Sequence, residues 1–180
     1  MRNLLVNGCI AVALSVPLFV VPVYGAGDGG SGGEATTQNC TGGKIWDKAQ
    51  QKCVPPQNSK LDLETIYESG RALAKAGRYG EAIMVLSAIA DSGDPRVLNY
   101  LGYSHRNQGR IDVGLGYYQE ALRANPDFTL AREYLGEAYL QKGDLASALD
   151  QLQEIEKRCG TGCEEYVDLR RQIDDFRNKG

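Results

Sequence analysis

Three copies of one spaced pattern run through the last two-thirds of the chain, and they restrict what those residues can fold into. Gly70, Gly102 and Gly136 are each followed seven positions later by another glycine: Gly77, Gly109 and Gly143. Twelve positions on stands a small residue, Ala82, Gly114 or Ala148. Sixteen positions on stands a large apolar one, Leu86, Tyr118 or Leu152, and nineteen on stands Ile89, Ala121 or Ile155. A pattern that returns at this interval describes a supersecondary unit used three times over, in which each copy needs its neighbours to cover its apolar face.

The unit is a pair of helices. Leu98, Leu101 and His105 share one helical face, and Leu145, Ala148, Leu149, Leu152 and Ile155 share another. Gly102 and Gly136 are expected where the two helices of one repeat approach too closely for a side chain. Gly77, Gly109 and Gly143 are expected to end the first helix of each pair, where a left-handed cap residue is needed. Asp94-Pro95 and Asn125-Pro126 are expected to open helices, because proline is tolerated at a first helical position and not inside.

A helix–turn–helix unit of about 34 residues with these landmarks resembles the tetratricopeptide repeat. The middle copy carries the resemblance most fully: Leu98-x-x-Leu101-Gly102-x-x-His105, then Gly114-x-x-x-Tyr118-x-x-Ala121, then Pro126. It departs from the family pattern at Leu98, His105 and Gly114. The third copy has Gly160 where the family has proline, and the first has Ser69 before its glycine. The resemblance covers residues 61–163 and implies an all-α, right-handed α-solenoid of about three repeats, over 63–94, 95–128 and 129–162. Residues 164–180 read as a capping helix, with Tyr166, Leu169, Ile173 and Phe176 on one stripe and charge on the other face. Glu164 and Glu165 in its first turn suit the positive end of the helix dipole.

The start of the chain reads as a targeting segment. Arg2 precedes an apolar run from Ile10 to Val23, and small residues allow cleavage after Gly25 or Ala26, so residues 1–25 are expected to be a signal peptide. An uncleaved inner-membrane anchor is the alternative. Asn7-Gly8-Cys9 lies before the apolar run and so makes a poor lipidation signal. Removal of the segment takes away Arg2 and makes the net charge more negative than the −3 of the whole chain. A nucleic-acid partner is therefore not expected. Removal also takes Cys9 from the five cysteines, leaving Cys40, Cys53, Cys159 and Cys163. In an exported, periplasmic or secreted chain these read as two disulfides, and closeness in sequence favours Cys40–Cys53 and Cys159–Cys163 among the three pairings. Zinc and C-x-x-C redox chemistry both fail on the spacing.

Residues 26–60 read as a Gly-rich spacer followed by a small disulfide loop, 40–53, that holds Trp46. Pro55-Pro56 is expected to separate this loop from the repeats. Ile45 and Trp46 are expected to pack over the disulfide or the first helix, the alternative being an exposed Trp46 that stacks on sugar or docks a partner.

No catalytic, metal or cofactor-binding set is evident. His105 stands at a core ring position, and the usual nucleophile, zinc and phosphate-loop motifs do not occur. The resemblance implies instead a non-enzymatic adaptor that binds a peptide or protein in its concave groove, or a scaffold subunit of an envelope complex. In such repeats the first helix of each pair lines the groove. By position that gives Tyr67, Arg71 and Lys75, then Asn99, Tyr103 and Arg106, then Glu133, Glu137 and Gln141. Tyrosine and arginine suit contact surfaces. Glu133 and Glu137 would repel the terminal carboxylate that the family's chaperone-tail binders grip.

Overall fold

The computed structural model describes residues 40–58 and 60–179. The expected leader, and the Gly-rich stretch up to residue 39, lie outside the described residues. Among the latter, seven helices carry the fold: α1 (Leu63–Lys75), α2 (Tyr79–Ser87), α3 (Pro95–Asn107), α4 (Ile111–Ala124), α5 (Thr129–Gln141), α6 (Leu145–Cys159) and α7 (Glu164–Lys179). None of them is long and apolar enough to cross a membrane.

Local chemistry sets the helix ends. The Asp62 carboxylate accepts the Thr65 backbone N–H at 2.7 Å, Asp94 accepts that of Arg96 at 2.8 Å, and Asp144 accepts that of Ser147 at 3.0 Å. Each satisfies a donor that a helix start leaves open. At the other end of α3, Gly109 takes φ +80°, and the N–H of Arg110 turns back to the carbonyl of His105 at 3.0 Å. A side chain at that φ would be strained. Gly77 and Gly143 do the same after α1 and α5, at φ +75° and +79°. Asn125-Pro126 does not open a helix. The Asn125 side chain accepts the Asp127 N–H at 3.1 Å, which closes a turn, and α5 starts only at Thr129.

Each helix packs on its sequence neighbour, and α1, α3, α5 and α7 also pack in succession, so these four form one wall. A β-carbon at Gly102 would stand 2.7 Å from the Tyr118 ring on α4, and one at Gly70 would stand 2.4 Å from Leu86 on α2. These are the close approaches inside a repeat that the glycines allow. Gly136 differs from expectation. Its β-carbon would meet Leu169 at 2.6 Å, on α7 and not on its own partner α6. The third glycine thus admits the last helix, which packs as the first helix of a further repeat would. The core is continuous in kind: Leu73, Leu86 and Leu101 near the start, Tyr118 and Leu135 in the middle, Ile155, Leu169 and Ile173 at the end.

A β-hairpin, which the sequence reading did not foresee, precedes the helices. Strands β1 (Ile45–Asp47) and β2 (Lys52–Val54) pair antiparallel with Trp46 opposite Cys53. The Asp47 carboxylate accepts the N–H groups of Ala49 and Gln50 at 2.8 and 3.0 Å and so holds the turn. Pro55-Pro56 does not separate this element from the repeats. Ile45 and Val54 join the core of α1 to α3 at 0% and 6% exposure. Alternation along the strand puts half-buried Trp46 on the other face, which makes Ile45 the anchor. Full burial of such a side chain contributes roughly 1.5–3 kcal/mol. Arg78 donates to the Cys40 carbonyl and pairs with Glu81 at 2.7 Å, while Glu81 accepts the Gly43 N–H at 3.3 Å. The disulfides are Cys40–Cys53 and Cys159–Cys163, the first closing the hairpin and the second linking the end of α6 to the start of α7.

Candidate functional site

The wall of α1, α3, α5 and α7 encloses a cavity of about 410 Å³. Tyr67, Arg71 and Lys75 reach it from α1, and Arg96 and Tyr100 from α3. Leu130, Glu133 and Tyr134 come from α5, Phe128 from just before it, and Glu164, Glu165 and Asp168 from α7. Helical spacing explains the selection. Residues three and four apart stack on one face, so Tyr67, Arg71 and Lys75 form one stripe and Leu130, Glu133 and Tyr134 another.

Aromatic rings run along the wall. Tyr67 and Tyr100 have centroids 6.1 Å apart, Tyr100 and Tyr103 6.1 Å, and Tyr103 and Tyr134 5.1 Å. These separations are those of favourable aromatic pairs. The Arg96 guanidinium lies 4.4 Å over the Tyr67 ring. Burial pushes the Tyr67 hydroxyl up to about 12, and burial also raises Tyr134. The phenols therefore stay neutral hydrogen-bonding groups at ordinary pH.

The two sides of the cavity differ in charge balance. On the α1/α3 side both arginines are paired, Arg96 with Glu64 at 2.9 Å and Asp94 at 2.7 Å and Arg71 with Glu68 at 3.0 Å, and Lys75 is exposed at the edge. On the α5/α7 side, Asp168 pairs with Arg171 at 2.7 Å, and Glu165 accepts the Thr129 hydroxyl at 3.1 Å. Among the described residues no hydrogen bond or ion pair engages Glu133 or Glu164. Glu133 is only 6% exposed. Burial first, and then the charges of Glu137, Asp168, Glu165 and Glu164, push its carboxyl up to about 8.

The nine residues mapped from the repeat pattern do not form one surface. Tyr67, Arg71, Lys75 and Glu133 line the cavity just described. Glu137 and Gln141 line a second hollow of about 370 Å³ between α5 and α7, with Leu140, Gln172 and Phe176. Asn99 has no exposed surface and neither polar atom of its side chain has a partner among the described residues. Tyr103 is half-buried in the ring ladder. Arg106 is 5% exposed, donates to the Tyr118 hydroxyl at 3.2 Å and pairs with Glu137. Asn99 and Arg106 are therefore buried inside the wall, and Tyr103 is half-buried in it. Arg106 is also one position out of series with Lys75 and Gln141, and a β-carbon at Gly114 of α4 would meet its own at 3.1 Å.

Arg96, Tyr100, Tyr134 and the three acids of α7 were missed. Tyr100 and Tyr134 share a repeat position, two before Gly102 and Gly136. That register was the available signal. His105 is stacked on Tyr117 at 5.4 Å, and its Nδ1 accepts from Arg110 at 2.8 Å. Burial and Arg110 lower its pKa, so it is a neutral structural group.

Residues 99–162 match the family profile described as "Tetratricopeptide repeat". The chain is 29% identical over 111 residues to the photosystem I assembly protein Ycf3 of Acaryochloris marina, a match that spans 59% of this chain and 67% of that one. It is 26% identical over 96 residues to the chloroplastic tetratricopeptide repeat domain-containing protein PYG7 of Arabidopsis thaliana, of whose length it spans 32%. Among solved structures it is similar to the type III secretion translocator chaperone SycD of Yersinia enterocolitica. There the TM-score is 0.57 at 20% identity, over 67% of this chain and 88% of that one. It is also similar to the first such domain of Spaghetti (RPAP3) bound to the HSP90 peptide SRMEEVD, with TM-score 0.56 at 20% identity, over 64% and 92% of the two chains. Helix order, helix pairing, the profile match and these neighbours agree: the protein has the all-α tetratricopeptide-repeat fold.

Proposed function

We propose that the protein is a non-enzymatic adaptor that holds a segment of a protein partner in the cavity between α1, α3, α5 and α7. One observation carries the reading. A hollow of about 410 Å³ is lined by tyrosines on a rigid helical wall, with charged groups at its edges. Large aromatic surfaces beside polar groups are the composition of contact sites that bind with few residues. The solved neighbours support it in kind: SycD has been determined with a peptide of the translocator YopD, and RPAP3 with an HSP90 peptide.

We further propose that the protein works outside the reducing cytoplasm, in the periplasm or beyond. The signal-peptide pattern of residues 1–25 and the two disulfides support this, since such bonds persist in oxidising compartments. The Acaryochloris relative is named an assembly protein, which supports a second reading, a helper or subunit in building a larger membrane-associated complex.

Native affinity capture with the wild type and with Lys75→Glu/Glu164→Lys tests the first reading. Both side chains are exposed at the cavity edge, so the variant should keep its melting temperature. A single partner lost in the variant is the expected result. A stable multi-protein complex that ignores the change would favour the second reading.

A further inference from the structure

The cavity has an imbalance that a partner must correct. Its arginines Arg71 and Arg96 are paired with acids and Lys75 is exposed at its edge, whereas Glu133 and Glu164 are engaged by no hydrogen bond or ion pair among the described residues. Glu133 is the telling group, because it lines the cavity while only 6% exposed. A buried carboxyl without a partner is expensive to keep. The neighbouring charges that act on it most are other carboxylates, Glu137 on its own helix and Asp168, Glu165 and Glu164 on α7. The rings of Tyr67 on α1, Tyr100 on α3 and Tyr134 on α5 line the same cavity.

The arrangement does not suit a metal ion. Among the described residues the one group of three metal-ligating atoms within 4.8 Å is Cys159, Cys163 and Glu165, and its two sulfurs are joined to each other. The cavity carboxylates are spread around a space of about 410 Å³, which is side-chain sized. Aromatic faces beside carboxylates favour an organic cation on a hydrocarbon stem.

Resting on the groove-binding reading above, we propose that this cavity takes a lysine or arginine side chain of the partner, its charged head against Glu133 and Glu164 and its stem along the tyrosines. The partner segment is therefore basic. This is opposite in sign to the acidic SRMEEVD peptide held by the structural neighbour RPAP3. A bound cation gives Glu133 a partner that the chain itself does not supply and favours its ionised form.

The test uses the full chain, isotope-labelled, and three acetylated, amidated pentapeptides, Gly-Ser-X-Ser-Gly, with X lysine, norleucine or glutamate. Amide shift changes locate and quantify binding. The lysine peptide should perturb residues around Glu133, Tyr134 and Glu164 and bind at least about tenfold more tightly than the other two. Glu133→Gln with Glu164→Gln should remove that advantage without unfolding the protein. Equal binding of the norleucine peptide, or better binding of the glutamate peptide, in the cavity overturns the cation assignment and leaves the groove reading standing. If none of the three perturbs the cavity, both fall together.

Discussion

The guanidinium of Arg106 on α3 lies buried against the carboxylate of Glu137 on α5, with side chains 4% and 13% exposed. Glu137 also accepts from Gln172 of α7, so one network joins three helices of the wall. Removing one partner strands a buried charge, which typically costs about 3–5 kcal/mol, whereas replacing both by apolar residues of similar volume is often close to neutral. Arg106→Ala should therefore lower unfolding stability by roughly that amount, and Arg106→Met with Glu137→Leu should recover most of it. Urea unfolding of the two variants decides this, and a neutral single variant would contradict the network.

Gly116 and Gly102 should respond to alanine with opposite signs. Gly116 lies exposed in α4 with nothing within 4 Å of an added β-carbon, whereas at Gly102 that carbon would stand 2.7 Å from the Tyr118 ring and 3.1 Å from the Gly114 carbonyl oxygen. Gly116→Ala should stabilise by roughly 0.5–1 kcal/mol through reduced backbone entropy. Gly102→Ala should destabilise by about 1–3 kcal/mol through overpacking. Denaturant midpoints of the two variants give both signs.

The pH dependence of stability should report on Glu133. Its folded carboxyl titrates near 8, above the ordinary value of 4.5, because of burial and the surrounding Glu137, Asp168, Glu165 and Glu164. Between these values the folded protein keeps a proton that the unfolded chain releases, so this group's effect is to lower stability as pH rises through that window. Below 4.5 both states are protonated and the effect vanishes. Glu133→Gln should flatten the wild-type decline between pH 5 and 8, by roughly 1–3 kcal/mol once solvent screening is allowed for. Unfolding free energies at the two ends of that range measure it.

The hairpin and the helices should melt as one unit, because Ile45 and Val54 lie in the α1–α3 core. Trp46 is the chain's one tryptophan and reports on the hairpin directly. Its fluorescence and the far-ultraviolet circular dichroism of the helices should follow a single transition. Cys40→Ser with Cys53→Ser should shift that transition by about 3 kcal/mol in the chain-entropy account. Two separate transitions would show the hairpin to be an appendage.

The helices were legible because glycine, small and large residues recur at fixed offsets and because caps such as Asp62, Asp94 and Asp144 stand where helices start. The hairpin was not, since strands of three residues are too short to show alternation and their turn, closed by Asp47, holds no Asn-Gly pair. The site was half legible. Mapping by repeat position reached Tyr67, Arg71, Lys75 and Glu133, but it also chose Arg106, whose side chain points onto α4. Glu164 and Glu165 read in sequence as dipole partners, and Asp168 as part of a charged face, because nothing local says that a capping helix continues the wall. That follows only from the contact of Gly136 with Leu169.

The most direct test of the account places a photo-crosslinking amino acid at four exposed positions, one at a time. Lys75 and Glu164 stand at the edge of the cavity, and Val113 and Glu120 lie on α4, outside its lining. With the partner present, the account predicts crosslinks from positions 75 and 164 and none from 113 or 120. Crosslinks confined to the α4 positions would contradict it.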